Sequence, residues 1–337
     1  MRAQLRNIYR RFFEPRGLVL MYHRVAEPAS DVWDIAVSPA NFEVQLQLLK
    51  KLGTVMPLNK LVANACAGTL QQNSIAITFD DGYLDNYATA KPLLEHYKLP
   101  ATFFVATGNI GQQREFWWDE LEEIILYRDE LPPLAKFRVG DDTVSKSLAA
   151  EARLDEQLLQ QHQNWHACTE LPPTQRSALF FELWQKLRPL PAKAQQQHLQ
   201  QIRNWAGVDA TVRQDQISMS EDQLVELSSS DLFDIGAHTV SHPALAFHSK
   251  AVQKQEIAQN VRDLQVLTGT NVSMLAYPYG NYNNESVQVA EELGFMAALT
   301  TEEEIITKKS DAYRMGRFQV SNWNKEEFAK KMKQWMR

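Results

Sequence analysis

The sequence predicts an α/β protein built on a parallel sheet, and three observations point there. Apolar runs at 17–25, 54–58, 74–80, 101–107, 233–238, 273–278, 295–300 and 317–321 recur between helical patterns, the alternation that a parallel sheet requires. Two of these runs end in an acid or a histidine, Asp80 and His238, as catalytic residues do at the C-terminal ends of barrel strands. No Gly-x-Gly-x-x-Gly and no Gly-x-x-x-x-Gly-Lys-Ser/Thr loop is present, and Gly108 with Gly111 is too little for a nucleotide loop. The pattern by itself admits a doubly wound sheet or a barrel.

Residues 1–16 come first. Leu5, Ile8, Tyr9, Phe12 and Phe13 recur at helical spacing, ringed by Arg2, Arg6, Arg10, Arg11 and Arg16. Such a basic amphipathic helix could lie on an anionic membrane surface, or it could pack on the domain with its arginines in water. The run from Gly17 to Tyr22 is too short for the apolar region of a signal peptide and reads as the first strand. No run reaches the roughly 18 apolar residues that a membrane span needs. The expected location is the cytoplasm, with peripheral membrane contact left open.

A helix over 39–52 is opened by Ser38 and Pro39 as N-cap and first helical residue. The run Ser74-Ile75-Ala76-Ile77-Thr78-Phe79 is short, rich in β-branched residues and closed by Asp80, Asp81 and Gly82, as a buried parallel strand would be. Helices over 84–97 and 251–268 follow the next two connections. Between 112 and 216 the pattern becomes Gln-rich, helical and strand-poor, which reads as an insertion after the strand at 101–107. It holds Trp117, Trp118, Trp165, Trp184 and Trp205, five of the chain's eight tryptophans.

Adjacent residues on an extended segment point to opposite sides, so one of Asp80 and Asp81 can bind a cation while the other stays free as a base. Alone, Asp-Asp-Gly is explained as well by a polar turn that caps the next helix. His238 and His242 shift that balance, because neutral imidazole is the commonest metal ligand. A helical His-Glu-x-x-His arrangement is excluded, since Thr239 stands in place of the Glu and Pro243 biases His242 away from the α region. Two His and one Asp on loops make a three-ligand site with open positions, suited to a catalytic metal.

Thr78-Phe79-Asp80-Asp81-Gly82-Tyr83, His238-Thr239-Val240-Ser241-His242-Pro243 and Ala276-Tyr277-Pro278-Tyr279-Gly280 resemble, in order, the first three motifs of the polysaccharide deacetylases that share the NodB homology domain, carbohydrate esterase family 4. The resemblance covers most of the chain outside 112–216 and extends to Met21-Tyr22-His23-Arg24-Val25, which looks most like the branch associated with bacterial surface polysaccharides. It implies a distorted (β/α)7 TIM-like barrel over 17–111 and 217–337 with a large helical insertion at 112–216. Asp81, His238 and His242 would hold a divalent metal, and Asp80 would be the base that takes a proton from metal-bound water. A backbone N–H near Tyr279, just after Pro278, would add an oxyanion donor. Tyr83, Pro278 and Tyr279 are expected against the substrate, with Trp117 and Trp118 offering faces to sugar rings. Zinc is the default ion for these ligands, and nickel, cobalt and iron also fit.

Two departures stand out. Ala276 occupies the place where the family usually has an Arg that orients the catalytic Asp, which leaves Arg24 and Arg317 as candidates for that support. No His follows His248, so the acid that protonates the leaving group has no counterpart in its usual place, and His23 is the stand-in. The rival role for His23 is a hydrogen bond that supports an acid. The resemblance implies removal of N- or O-linked acetyl from a sugar of a cell-envelope polysaccharide or its lipid-linked precursor, with a glycosyltransferase as a candidate partner of the insertion. The alternatives are a carbohydrate-binding pseudoenzyme, a non-catalytic member of a biosynthetic complex, or a non-haem iron enzyme.

With 337 residues, 44% hydrophobic and 23% charged, the chain can bury a full core, and its net charge of −6 argues against nucleic acid as partner. Cys66 and Cys168 make neither a disulfide framework nor a metal cluster, and they are expected to be buried and inert.

Overall fold

The computed structural model describes residues 15–210 and 212–336. The basic segment expected at the N-terminus falls, over residues 1–14, outside them. The chain divides into two compact units, one holding the residues up to Glu27, Ile35–Gly111 and those from Met219 onward, the other Pro28–Asp34 and Gln112–Ser218.

The first unit is the barrel. Its strands are β1 (Gly17–Tyr22), β2 (Thr54–Val55), β3 (Ser74–Phe79), β4 (Ala101–Val105), β5 (Phe233–Ala237), β6 (Met274–Ala276), β7 (Ala297–Leu299) and β8 (Phe318–Gln319). All pair in parallel in the order β7-β6-β5-β4-β3-β1-β8, with β2 set beside the start of β3. The outer strands are linked through residues 312–315. Ala298 donates to the Ala312 carbonyl at 2.8 Å and Thr300 to that of Met315 at 2.8 Å, and the same segment then runs into β8. The sheet is thereby curled into the distorted (β/α) barrel that the sequence led us to expect.

Alternation along the strands builds two apolar layers. Leu18, Leu20, Tyr22, Ile75, Ile77, Phe79, Phe103 and Val105 share one cluster with Phe42, Leu46 and Leu49 of helix α1 (Pro39–Leu52). Val19, Ala76 and Phe104, on the opposite face of the same strands, share the other with Ala276 of β6, Leu299 of β7 and Leu58, Leu61 and Val62 of α2 (Leu58–Ala67). Burial on both faces explains why β1 and β3 read as continuous apolar runs rather than alternating ones. Helix α1 starts as expected, with the Ser38 hydroxyl accepting from the Asn41 N–H and Pro39 in the first turn. Helix α3 (Lys91–Tyr97) is preceded by a π-helical turn over Asn86–Ala90, and α4 (Glu221–Ser228), α5 (Lys250–Thr268), α6 (Asn284–Glu292) and α7 (Lys325–Trp335) complete the layer. No helix among the described residues is long and apolar enough to cross a membrane.

The second unit differs from the strand-poor insertion read from its composition. Besides helices Glu156–Gln163, Gln175–Leu187 and Ala192–Ala206, it contains an antiparallel hairpin, Leu134–Val139 with Asp142–Ser147. Its turn passes through Gly140 at φ +61. The first hairpin strand alternates exposed and buried residues, so its period-two signal was present but diluted by Lys136, Arg138 and the polar second strand. This unit also recruits Pro28–Asp34, where Trp33 packs on Trp184 with ring centroids 4.5 Å apart. Chain position gives no hint of that contact. The cysteines correct a second expectation, because Cys66 and Cys168 are exposed thiols and neither is in a disulfide.

Gly236 shows how closely the strands are filled. A Cβ there would lie 2.4 Å from a ring carbon of the buried Phe104. Gly236→Ala is therefore expected to lose about 1–3 kcal/mol through overpacking. Urea unfolding would measure it, and an unchanged midpoint would mean that the ring moves aside freely.

Candidate active site

β3 delivers the two acids and a tight turn separates them. The Asp80 N–H still bonds the Tyr22 carbonyl at 3.0 Å, continuing the ladder to β1, but the Gly82 N–H then turns back to the Asp80 carbonyl at 2.9 Å. Asp81, at the apex, sits at φ +74, in the left-handed region that a non-glycine residue occupies only under constraint. The two side chains consequently serve different partners.

Asp80 meets Arg317, which lies just ahead of β8. The fully buried guanidinium grips the carboxylate with two hydrogen bonds of 2.7 Å each, while its Nε donates to the Thr300 carbonyl at 3.0 Å and Nη1 to Thr78 Oγ1 at 3.3 Å. Burial, the largest influence, pushes the Asp80 carboxyl up, yet Arg317 followed by His238 outweighs it and holds the group below its ordinary value. Of the two arginines considered for orienting the base, the structure brings Arg317 to Asp80. Arg24 instead bonds Asp85 at 2.9 Å and covers the Tyr83 ring, 4.7 Å from its centroid.

Asp81 meets the histidines. His238, just after β5, donates through Nδ1 to the Ala276 carbonyl at 2.8 Å, which leaves a lone pair on Nε2 of the neutral ring. His242 is turned by a left-handed φ of +55, its N–H on Thr239 Oγ1 at 3.1 Å. The pre-proline position keeps it off the α region, as expected. His238 Nε2 and His242 Nε2 stand 3.3 and 3.2 Å from Asp81 Oδ1, and the three atoms lie within 4.8 Å of one another. That Oδ1 is buried and accepts no hydrogen bond, so its lone pairs converge with imidazole nitrogens on a common point. A divalent cation answers that arrangement of donors, and three ligands leave positions open. The carboxyl of Asp81, which burial pushes up, is held well below its ordinary value by His242 and His238. Burial likewise pulls both imidazoles down; Asp80 and Asp81 carry His238 above its usual value, whereas His242 remains below.

Around this centre the other expected residues divide. His23 is half-buried, with its carbonyl bonded by Asn86 Nδ2 at 2.7 Å. Tyr279 lies at φ +57 with its ring edge-on to His242, centroids 4.4 Å apart, and Pro278 beside it is buried. Tyr83 is corrected. It is fully buried under Arg24 and has no surface for a substrate. Trp117 and Trp118, in the second unit, are corrected too: each is 4% exposed, the Trp118 ring stacked on Phe116 and edge-on to Trp117, so neither offers a free face to a sugar. Sequence reasoning missed Asn260, fully buried on α5, whose Oδ1 accepts the His238 N–H at 3.0 Å. The signal for it was an amide within the stripe Gln253, Ile257, Asn260, Leu264, at spacing where apolar residues are the norm.

Arg317→Met would leave Asp80 buried and unpaired, an expected loss of about 3–5 kcal/mol at neutral pH. The folded value of Asp80 lies below its unfolded one, so the pair's contribution is complete above the unfolded value of about 3.9 and is lost as pH falls through the folded value. Denaturant midpoints measured across pH should show the gap between wild type and variant narrowing in acid.

Comparison with known proteins follows the same lines. The polysaccharide deacetylase family model matches residues 67–129 and 200–298, stretches that hold Asp80, Asp81, His238, His242 and Tyr279. The poly-beta-1,6-N-acetyl-D-glucosamine N-deacetylase of Staphylococcus aureus is 29% identical over 116 residues, 31% of this chain and 40% of the relative's length. Among solved structures, IcaB from Ammonifex degensii superposes with a TM-score of 0.57 at 17% identity, covering 96% of this chain and 98% of its own. The Streptococcus pyogenes deacetylase PplD, solved with acetate, gives 0.54 at 19% identity over 95% and 99%. At such identities the superpositions speak for the fold. Fold and matched motifs together say that the chain carries a polysaccharide deacetylase domain, as the family model describes it.

Proposed function

We propose that the chain is a metal-dependent deacetylase that hydrolyses the acetyl group of an acetylated sugar in a surface polysaccharide or its precursor. The observation that carries this reading is the pairing of two buried carboxylates with opposite duties, Asp80 locked by Arg317 and Asp81 converging with His238 and His242. A divalent cation held by Asp81, His238 and His242, zinc being the ordinary choice, supplies Lewis acidity that polarises the acetyl carbonyl and acidifies water.

The chain's own groups do the rest. Asp80 is ionised, and each oxygen keeps a lone pair beside its bond to Arg317, so the carboxylate can take a proton from the attacking water. The Tyr279 N–H is the donor for the carbonyl oxygen as charge develops on it. His23 hands a proton to the departing sugar nitrogen or oxygen, and acetate leaves. The name of the S. aureus relative supports an amide-linked acetyl on a glucosamine polymer. Arg317 also weakens one of the two arguments for the pseudoenzyme alternative, the missing supporting arginine, and leaves the other, the missing late histidine, to the test of His23.

Acetate release from acetylated poly-glucosamine tests the reading. Asp80→Asn is expected to lower turnover by about 10²–10⁴, and a chelator should abolish release until metal is restored. Equal release from wild type and Asp80→Asn would overturn the mechanism. For His23, the comparison is between leaving groups. His23→Ala should slow release from the amide strongly while leaving hydrolysis of an aryl acetate, whose leaving group needs no proton, within a few-fold of wild type.

A further inference from the structure

The loop that carries both imidazoles is held by one face of α5. Glu256 accepts the Val240 and Ser241 N–H groups on one carboxylate oxygen, at 3.1 and 2.9 Å, and the Ser241 hydroxyl on the other at 2.9 Å. One turn on, Asn260 accepts from the His238 N–H and donates to the Thr239 carbonyl at 2.6 Å and the Val105 carbonyl at 3.0 Å. One turn back, Gln253 donates to the His248 carbonyl at 2.9 Å. Spaced three and four residues apart, these side chains line one side of the helix and grip the loop from His238 to His248. Between the grips, Thr239 and His242 lie at φ +67 and +55, conformations that persist only where the surroundings impose them.

We propose that Glu256 and Asn260 are positioning residues for the two imidazoles. They impose the left-handed turns that carry His238 Nε2 and His242 Nε2 onto Asp81, and so they set how tightly, and in what geometry, the site holds a divalent cation. The inference rests on the metal reading above and deepens it. Glu256 is the stronger hold, because an ionised carboxylate bonding backbone N–H groups makes charge-assisted hydrogen bonds. Neither residue is expected to touch the reacting atoms.

The test uses Co²⁺ added to metal-free, full-length protein, read by its visible absorption and by its dissociation constant. Glu256→Ala is expected to weaken Co²⁺ binding about tenfold or more, the scale on which residues behind metal ligands act, and to alter the absorption band. Glu256→Gln keeps one oxygen for the two N–H groups and should fall between that variant and wild type. Glu292→Ala removes the partner of Lys250 and Lys254 on the same helix without touching the loop, and should keep wild-type values. Thermal unfolding of each metal-free form establishes that it is folded. A folded Glu256→Ala with wild-type affinity and spectrum would overturn the proposal, as would an equal effect of Glu292→Ala. Wild type with no affinity for Co²⁺ would overturn the metal reading itself, and this inference with it.

Discussion

The barrel unit depends on one buried ion pair. Taking Asp80 and Arg317 out of water costs several kcal/mol per ion, which their attraction offsets only with good geometry and with the remaining donors satisfied. Both conditions hold, through two parallel bonds to the carboxylate and further bonds to Thr300 and Thr78. The pair joins groups 237 residues apart and can close only when β8 lies against β1 and β1 against β3. Completion of the sheet and orientation of the Asp80 carboxylate are thus one event. Misplacement of β8 would strand two charges in the interior.

The same economy governs the local backbone. Among the described residues seven non-glycine residues have positive φ, and Asp81, Thr239, His242 and Tyr279 are four of them, one or two in each motif. Each such residue costs on the order of 1–3 kcal/mol. A neutral hydrogen bond returns roughly 0.5–1.5 kcal/mol and one to a charged group roughly 1.5–3, so one bond apiece leaves a deficit that several can cover. The two-histidine loop has its own set, from Asn260 and Glu256 on α5 and from the Thr107 and Gly108 N–H groups beyond β4. The strain is concentrated where ligand atoms must be aimed.

Legibility in the sequence followed distance along the chain. All eight barrel strands lie inside apolar runs that can be read directly, because burial on both faces leaves an uninterrupted signal over a few residues. The Asp80-Asp81 pair and the two histidines were readable for the same reason: each lies within a few residues of a strand end. Arg317 could be named only as one of two candidates, since its partner is chosen by strand order rather than by spacing. Pro28–Asp34 could not be assigned to the second unit, and Tyr83 could not be seen to lie beneath Arg24, because both facts are tertiary contacts. Trp117 and Trp118 misled for a related reason. A tryptophan's chemistry suits a sugar face and a core equally, and only burial separates the two.

On the proposed reading, Arg317 has a second task beyond holding Asp80 still. Two carboxylates next to a cation would ordinarily both bind it, since ionised oxygens are the preferred partners of divalent ions. Asp80 would then be a ligand and no base would remain. With both oxygens engaged by the guanidinium, Asp80 is neutralised locally and fixed in direction, which lowers its pull on a cation while leaving lone pairs for a water proton. The charges then balance in favour of the reaction: Asp80 cancels Arg317, Asp81 cancels only part of a divalent charge, and a net positive site faces the oxyanion as it forms. An uncharged residue in place of Arg317 would remove both the division of labour and part of that field, which is why the arginine belongs to the catalytic design although it lies outside the matched motifs.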